Sequence, residues 1–292
     1  MKIIVVGADG QLGSDVCEAF ERNLDDVHRV GHAALEIASL EQVSRAMSEI
    51  RPDIVVNTGA FHNVEKCEQD PSIAFAVNAL GTRNLAIVSR ELGSTLIHIS
   101  TDYVFDGTKR YPYDETDVPR PLNVYGNSKL AGEHFVYSIA ERYFVVRTSA
   151  LYGKRPCRAK GGLNFVELML KLANEREMIK VVDSEIVTPT STVELAKQIV
   201  KLSRSDAFGL YHATAEGSCS WYEFAREIFV LAGIKVRLEV AGLQDFPAKV
   251  ARPPYSVLEN RGLKTIGLNG FRHWRYGLRG YLGLPLDSTI SS

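Results

Sequence analysis

The segment KIIVVGADGQLGSDVCEAFERN, residues 2–23, joins an apolar run to a helical pattern through a turn that contains three glycines. The apolar run is typical of a fully buried β-strand. After the turn, Val16, Ala19 and Phe20 recur at the spacing of one helix face. The segment therefore predicts that the chain opens with a strand, a tight turn and a helix.

The same alternation of short β-rich runs and longer helical patterns continues to about residue 150. Continuous Val/Ile runs separated by helices are the pattern of a parallel sheet that is covered on both faces. We read five successive βα units and predict an α/β fold, a Rossmann-type doubly wound parallel sheet over residues 1–150. Residues 151–292 are predicted to form mainly a smaller C-terminal substrate-binding lobe, with the runs IKVVD and GLYHAT returning to the main sheet.

Two helices of the first half have predicted ends. The pattern SLEQVSRAMSEIRP begins at an N-cap, Ser39, with Gln42 as its capping-box partner, and stops before Pro52. The pattern SIAFAVNALGTRNLAIVSRELG is read as one helix that ends at Gly93.

Composition excludes several classes of protein. The 292 residues are 45% hydrophobic and 24% charged, with a net charge of −1, which gives no electrostatic footprint for nucleic acid or an anionic membrane. No apolar run approaches the roughly 18 residues of a membrane span, and the N-terminal apolar stretch is too short for a signal peptide. Cys17, Cys67, Cys157 and Cys219 are far apart, which indicates neither zinc nor disulfides. We expect a cytoplasmic protein without a metal site.

The glycines of the opening turn form the motif GADGQLG, with Gly7, Gly10 and Gly13 in a GxxGxxG spacing. Between a strand and a helix, such glycines let backbone amides approach a pyrophosphate at the positive end of the helix. Nucleotide binding is therefore favoured over a plain turn. An acidic residue after the second strand would suit NAD and a basic residue NADP, but this chain offers both His32 and Glu36 there. The cofactor is predicted to be NADPH or NADH.

A tyrosine and a lysine stand four residues apart in NVYGNSKLAGEHF, at Tyr125 and Lys129. Residues at this spacing share a helix face. An ammonium about 5 Å from a phenol, at an effective dielectric constant of about 20, is worth about 3 kcal/mol. That would lower the pKa of the tyrosine by about two units and make it a general acid or base near neutrality. The alternative is an aromatic residue that happens to have a lysine one turn away.

Upstream, the apolar run STLIHIS ends in Ser100, Thr101 and Asp102. This placement puts polar side chains at the carboxyl edge of the sheet, where open α/β sheets bind ligands. A hydroxyl there, opposite Tyr125, could hydrogen-bond a substrate carbonyl. A simple polar turn is the alternative.

With these motifs together, the chain resembles the extended short-chain dehydrogenase/reductases, which combine GxxGxxG, a Ser/Thr at the end of the fourth strand, and YxxxK. Within them GADGQLG, ISTDYVFDG, YGNSKLAGE and RTSALYG are most similar to the dTDP-4-dehydrorhamnose reductase family. The similarity extends from Met1 to about Leu258. The resemblance implies NAD(P)H-dependent reduction of the 4-keto group of a nucleotide-activated deoxysugar, with dTDP-4-dehydrorhamnose reduced to dTDP-L-rhamnose as the leading candidate.

The resemblance also implies roles for individual residues. Tyr125 would be the proton donor, Lys129 would orient the nicotinamide ribose, and Thr101 would hold the keto oxygen with Asp102 near the sugar. Asn78 would belong to a proton-relay helix. The residues implied to line the cofactor are Gly7, Gly10, Gln11, Leu12, Gly13, Glu36, Ile37, Gly59, Ala60, Phe61 and Ser100. The expected partner is a nucleotide-sugar, a homodimer is a possible assembly, and neither nucleic acid nor membrane is expected.

Close relatives that catalyse other reactions carry different residues at the end of the fourth strand. The dehydratases follow the strand-end threonine with Asp-Glu, whereas this chain has Tyr103 after Asp102. Epimerases show Ser-Ser-Ala at the strand end, which is also absent here. The resemblance therefore favours reduction.

The substrate side departs from the reductase pattern in three places. Ala150 stands where the family has a tryptophan after RTS, DSEIVTPT replaces DQxGxPT, and RPPYSVL has Tyr255 in place of asparagine. We expect Ala150 and Tyr255 to shape an altered sugar pocket, with Arg252 as a diphosphate clamp or a plain surface arginine. These departures from the reductase pattern are also expected under an alternative function. In that alternative the chain is a non-catalytic NADP-binding regulatory subunit that resembles the β subunit of methionine adenosyltransferase.

Overall fold

The computed structural model describes residues 1–156, 162–242, 244–245 and 250–286. Its strands are β1 (Lys2–Val6), β2 (Asp26–Val30), β3 (Ile54–Asn57), β4 (Thr95–Thr101), β5 (Tyr143–Thr148), β6 (Leu151–Tyr152), β7 (Met178–Val181), β8 (Ile186–Val187), β9 (Thr190–Ser191), β10 (Gly209–His212), β11 (Cys219–Ser220) and β12 (Arg237–Val240). Its α-helices are α1 (Gln11–Arg22), α2 (Leu40–Ile50), α3 (Val64–Gln69), α4 (Pro71–Phe75), α5 (Thr82–Leu92), α6 (Val124–Ile139), α7 (Phe165–Glu175), α8 (Thr192–Ser203), α9 (Trp221–Ala232), α10 (Arg261–Thr265) and α11 (Trp274–Tyr281).

Six parallel strands form the central sheet, in the order β10–β5–β4–β3–β1–β2. The chain steps outward from β1 to β2 and then crosses back to β3 on the other side of β1. At such a reversal the carboxyl ends of neighbouring strands open a crevice, which is where open α/β sheets bind ligands. The predicted doubly wound parallel sheet is confirmed, and its crevice lies at the ends of β1 and β3.

Helices cover both faces of this sheet. Along β1, Ile3 and Val5 pack into a core shared with α1 and α8. The alternate residues, Ile4 and Val6, pack into a second core with α2, α5 and α6. Because successive side chains of a strand point to opposite faces, a sheet that is buried on both sides needs the unbroken apolar run seen in the sequence.

The second half of the chain both completes this sheet and forms a lobe. GLYHAT supplies β10, which pairs with β5 as predicted, and α8 packs against α1. IKVVD supplies β7, which pairs with β12 outside the central sheet, so the prediction that it joins the main sheet is wrong. Around this pair, α7, α9 and α11 enclose a separate apolar core.

The predicted ends of α2 are confirmed, except for one half of the capping box. The Ser39 hydroxyl accepts a hydrogen bond from the Gln42 amide at 3.3 Å. The Gln42 side chain does not return this bond, because its Oε1 accepts from the Glu36 amide at 3.1 Å. The helix ends through Arg51 in the left-handed conformation, with φ of 51°, just before Pro52.

The long helical run in the middle of the first half is not one regular helix. A π-helical segment, Ala76–Gly81, separates α4 from α5. The predicted end at Gly93 is confirmed, since this residue closes α5 with φ of 69°.

Two expectations about composition bear on the described residues. Cys17, Cys67 and Cys219 are buried free thiols, while Cys157 lies outside the described ranges. None of the described helices is long and apolar enough to cross a bilayer.

Candidate active site

A cavity of ≈ 520 Å³ follows the carboxyl edge of the central sheet and extends onto the second half of the chain. Apart from Asn78 and Tyr255, the candidate site residues identified in the sequence line this cavity. They are Gly7, Gly10, Gln11, Leu12, Gly13, Glu36, Ile37, Gly59, Ala60, Phe61, Ser100, Thr101, Asp102, Tyr125, Lys129, Ala150 and Arg252.

The glycine turn between β1 and α1 leaves the N-terminus of the helix uncovered. Gly7 has φ of +80°, and a Cβ on Gly13 would lie 2.2 Å from the Gly7 carbonyl oxygen, so both positions need glycine for the fold itself. Gly10 is the N-cap of α1 and provides no side-chain hydrogen bond to the first turn. The first amides of a helix carry partial positive charge. This end of the cavity is therefore suited to an anionic group such as a pyrophosphate.

The loop after β2 forms the next part of the cavity wall. Glu36 turns its carboxylate back to the Ala38 amide at 3.1 Å, and Ile37 is buried. His32 is exposed and also lines the cavity. This end of the site therefore presents both a carboxylate and an imidazole, the two groups that the sequence offered for NAD and NADP.

The loop after β3 is held in place by Asn78, which lies in the π-helical segment. The Phe61 amide donates to Asn78 Oδ1 at 2.8 Å, and Asn78 Nδ2 donates to the Phe61 carbonyl at 2.9 Å. The same Nδ2 also donates to the Ser128 hydroxyl on α6 at 2.9 Å. Asn78 thus ties the loop of residues 59–61 to the helix that carries Tyr125.

The end of β4 brings Thr101 and Asp102 to Tyr125. The Thr101 hydroxyl lies near enough to Tyr125 to oppose the rise in the pKa of that phenol, and Thr101 Oγ1 donates to Asp102 Oδ1 at 3.1 Å. Asp102 also accepts from the Ser149 hydroxyl at 2.8 Å. Burial raises the pKa of Asp102, and these hydrogen bonds partly offset the shift. Two adjacent hydroxyls therefore face the cavity over a buried carboxyl group.

The structure contradicts the expected effect of Lys129 on the pKa of Tyr125. Burial raises that pKa above its usual value, opposed by the Thr101 hydroxyl and reinforced by the Asp102 carboxylate. The Lys129 Nζ is turned toward β4, where it donates to the Ile99 carbonyl at 2.7 Å. Burial also lowers the pKa of Lys129 to about 8. Tyr125 is therefore a phenol that stays protonated through the neutral range.

The hydroxyl of Ser100 does not face Tyr125, contrary to expectation. It donates to Glu133 Oε1 on α6 at 2.5 Å. Glu133 also accepts from Arg147 on β5, through Nε at 2.9 Å and Nη2 at 2.6 Å, and from the Tyr137 hydroxyl at 3.1 Å. Successive strand residues point to opposite faces, so Ser100 points into this ion pair behind the cavity wall. Of the two hydroxyls, only Thr101 meets Tyr125.

The residues that were expected to contact the substrate lie in different surroundings. Ala150 borders the cavity in the left-handed conformation, with φ of 45°. Arg252 also borders it and pairs with Glu65 on α3 through a 2.5 Å Nη2–Oε1 contact. Tyr255 instead packs against the apolar cluster of Val104, Phe105, Tyr113 and Leu258. Of the two positions expected to reshape the pocket, Ala150 alone is among the lining residues.

Several lining residues of the second half were not identified in the sequence, among them Phe165, Glu185 and Trp221. The Trp221 and Phe165 rings lie 4.6 Å apart between centroids, and the Trp221 indole N–H donates to Glu185 at 3.2 Å. The available signal was the motif SWYEF, in which Ser220 caps α9 with Glu223 as its capping-box partner. That cap fixes Trp221 as the first residue of the helix.

Comparison with known proteins adds evidence independent of this geometry. The family model described as "RmlD substrate binding domain" matches residues 1–284. The chain is 38% identical to the spore coat polysaccharide biosynthesis protein SpsK of Bacillus subtilis, with 96% of each chain covered. It is 37% identical to a dTDP-4-keto-6-deoxy-D-glucose reductase of Streptomyces niveus, with 94% of each covered.

A solved structure is similar over almost the whole fold. The dTDP-4-dehydrorhamnose reductase of Bacillus anthracis, crystallised in complex with NADP, superposes with a TM-score of 0.92 at 40% identity. The match covers 97% of this chain and 99% of that one.

Proposed function

The chain belongs to the RmlD substrate binding domain family, and we propose that it is an NAD(P)H-dependent reductase of the 4-keto group of a nucleotide-activated deoxysugar. The leading candidate reaction is dTDP-4-dehydrorhamnose to dTDP-L-rhamnose. The observation that carries the proposal is that Thr101, Tyr125 and Lys129 line one cavity together with the glycine loop.

The glycine loop fits the pyrophosphate of a nicotinamide dinucleotide. A Cβ on Gly7 would lie 2.8 Å from the Gly59 amide nitrogen, so glycine at this position lets the turn after β1 pack closely against the loop after β3. Gly10, Gln11, Leu12 and Gly13 would hold the pyrophosphate at the α1 N-terminus. When bound, the reduced nicotinamide supplies the hydride that adds to the keto carbon.

The remaining step is protonation of the keto oxygen. As the carbon–oxygen double bond opens, the oxygen gains negative charge and takes the proton of the Tyr125 hydroxyl, which leaves a C–H and an O–H on the sugar. Thr101 holds the same oxygen through its hydroxyl. Because burial raises the pKa of Tyr125, the phenol is present in its donor form throughout the neutral range.

Reduction is favoured over elimination of water by the residue after Asp102. Tyr103 lines the cavity at the place where the dehydratases carry glutamate. Burial raises the pKa of this phenol as well, so it cannot act as a base near neutral pH.

The substrate is proposed to span both halves of the chain. Residues 1–150 supply the cofactor loop and the hydroxyl pair, while Trp221, Phe165 and Glu185 supply a wall from the lobe of residues 151–292. Arg252, half-exposed beside Glu65, is the proposed contact for the diphosphate. Relatives named for two different 4-keto-6-deoxy sugars make the sugar itself the first question for assay.

The experiment is NAD(P)H oxidation, followed at 340 nm, with a panel of dTDP-4-keto-6-deoxy sugars and with each cofactor. Turnover with at least one sugar supports the proposal and removes the regulatory-subunit alternative. Binding of NADPH without turnover of any sugar would support that alternative instead. A cytoplasmic location and a homodimer stay predictions, the second to be checked by sedimentation velocity.

A further inference from the structure

A buried histidine, His98 on β4, connects the Lys129 side chain to the loop that follows β3. We propose that His98 is a positioning residue, and that its Nε2–H donates to the Lys129 Nζ and favours the neutral amine over the ammonium ion. The inference deepens the proposed function, on which it rests for its kinetic readout only.

The side chain of Asn57 fixes the direction of this network. Its Oδ1 accepts from the Gly59 amide at 3.1 Å, so its Nδ2 must be the atom that faces His98 Nδ1 at 3.2 Å. The second Nδ2 proton points to the Thr82 hydroxyl at 3.4 Å, which in turn donates to the Asn78 carbonyl at 2.8 Å. A reversed amide would place two N–H donors against each other at Gly59.

His98 must therefore accept at Nδ1. The ring is completely buried, and burial lowers its pKa well below the usual value. A neutral imidazole that accepts at Nδ1 carries its single proton on Nε2. That N–H faces the Lys129 Nζ, which lies 3.3 Å away.

The lysine can satisfy this contact only as an amine. A neutral amine has one lone pair, which can accept from His98 Nε2–H, and two N–H groups. One of these donates to the Ile99 carbonyl at 2.7 Å, and the other remains for the cavity. An ammonium ion has three donors and no lone pair, so its formation sets an N–H of His98 against an N–H of Lys129.

The surroundings of Lys129 have opposing effects on its protonation state. On its own helix, Glu133 favours the ammonium form, although this carboxylate is already paired with Arg147 of β5. Tyr125 lies one turn away, and Asp102 lies at the end of β4. Burial is the largest influence and lowers the pKa of Lys129 to about 8, which places the amine within reach of physiological pH.

One functional consequence concerns the cofactor loop. Gly59 lines the cavity, and its amide begins the chain of hydrogen bonds that ends at Lys129. A ligand that moves this loop would therefore alter the contact that holds the lysine. His98 links the place where the cofactor is proposed to bind with the residue proposed to orient its ribose.

Two matched substitutions separate the two contacts of His98. The carboxamide oxygen of asparagine can replace Nδ1, so His98→Asn keeps an acceptor for Asn57 and loses the donor to Lys129. The amide nitrogen of glutamine can replace Nε2, so His98→Gln keeps the donor to Lys129 and loses the acceptor for Asn57. The Lys129 titration is read from the ¹³Cε resonance of ¹³C-lysine protein, assigned by its absence in Lys129→Met.

We expect the Lys129 pKa to rise by about 0.5–1 unit in His98→Asn, a three- to tenfold change in the amine-to-ammonium ratio, because one neutral hydrogen bond is lost. In His98→Gln, the pKa of Lys129 should stay close to its value in the unsubstituted protein. The pH profile of NADPH binding, and of turnover where a sugar is accepted, should follow the same order. Equal pKa values in the two variants would overturn the proposal.

The unsubstituted protein gives an independent test that needs no substrate. Long-range ¹H–¹⁵N spectra of ¹⁵N-histidine protein should show His98 as the Nε2–H tautomer, unchanged from pH 8 to pH 5. A proton on Nδ1, or an imidazolium ion in this range, would refute the inference even if the protein is an active reductase. Conversely, the tautomer result stands even if no sugar is turned over.

Discussion

The ion pair between Glu133 and Arg147 allows a quantitative test of what supports the cavity from behind. Both side chains are buried, with exposures of 0% and 2%, and they meet through two parallel hydrogen bonds of 2.6 and 2.9 Å. Removing one partner leaves the other charge without compensation in a low dielectric, which costs about 3–5 kcal/mol. Glu133→Gln should therefore lower the free energy of unfolding by about that amount.

A second arginine–glutamate pair provides a control with the same geometry. Arg29 and Glu21 also form two hydrogen bonds, of 2.8 and 2.9 Å, but their side chains are 41% and 43% exposed. Solvent screens this pair, so Glu21→Gln should cost at most about 1 kcal/mol. Urea unfolding followed by circular dichroism measures both values. The Glu133→Gln melting temperature should also fall by roughly 10 °C.

The double variant Glu133→Leu/Arg147→Met tests whether the loss of stability comes from an uncompensated buried charge. With both charges removed, the remaining cost comes mainly from the Ser100 and Tyr137 hydroxyls that lose their acceptor, about 1 kcal/mol each. The double variant should therefore be more stable than Glu133→Gln. The burial argument is wrong if Glu133→Gln loses no more unfolding free energy than Glu21→Gln. It is also wrong if the double variant loses as much as Glu133→Leu and Arg147→Met lose together as single variants.

Four further predictions concern the site and the acid stability. Tyr125→Phe should reduce turnover by about 10²–10⁴-fold with an unchanged circular dichroism spectrum, whereas Tyr111→Phe, at a 60% exposed position, should remain active. Gly10→Val should stay folded and lose NADPH binding in a fluorescence titration; unchanged affinity would contradict the phosphate-loop assignment. Lys129→Met should lose both turnover and cofactor affinity, so retention of either one would argue against its two roles. Burial lowers the pKa of His212 to about 3, below the roughly 6.5 of an unfolded histidine. The free energy of unfolding should therefore fall by up to about 1.4 kcal/mol per pH unit as pH decreases from 6.5 toward 3. This slope should be smaller in His212→Asn, which retains a side-chain donor for the Tyr113 carbonyl.

The parts of the fold that were predictable are those in which local sequence and tertiary environment agree. The apolar run of β1 and the glycine turn after it identify a buried strand and a helix start from adjacent residues alone. The partner of β7 could not be found this way. Its pairing with β12 joins Met178 to Arg237, and a four-residue strand carries no record of which distant strand it contacts.

The errors in the site have a similar origin. That Thr101 and Ser100 lie at the end of one strand was predictable, and the two-residue period of the strand puts their side chains on opposite faces. Which of those faces meets Tyr125 depends on how α6 packs, and Ser100 turned out to share its face with His98, against Lys129 and Glu133. The effect of burial on the pKa of Tyr125 likewise depends on the whole surrounding structure and could not be read from a four-residue spacing.

The origin of the outermost strand has a consequence for how the protein is made. When a ribosome has synthesised 150 residues, β5 is present, but β10 and the α8 helix that packs against α1 are not. About 60 more residues must follow, which takes several seconds at about 5–20 residues per second. During that interval apolar side chains such as Val146, which the finished fold buries beside α8, lack their native cover. The nascent first half is thus a natural client for chaperones, and a gene fusion cut at residue 150 would carry an aggregation-prone fragment rather than a portable cofactor-binding module.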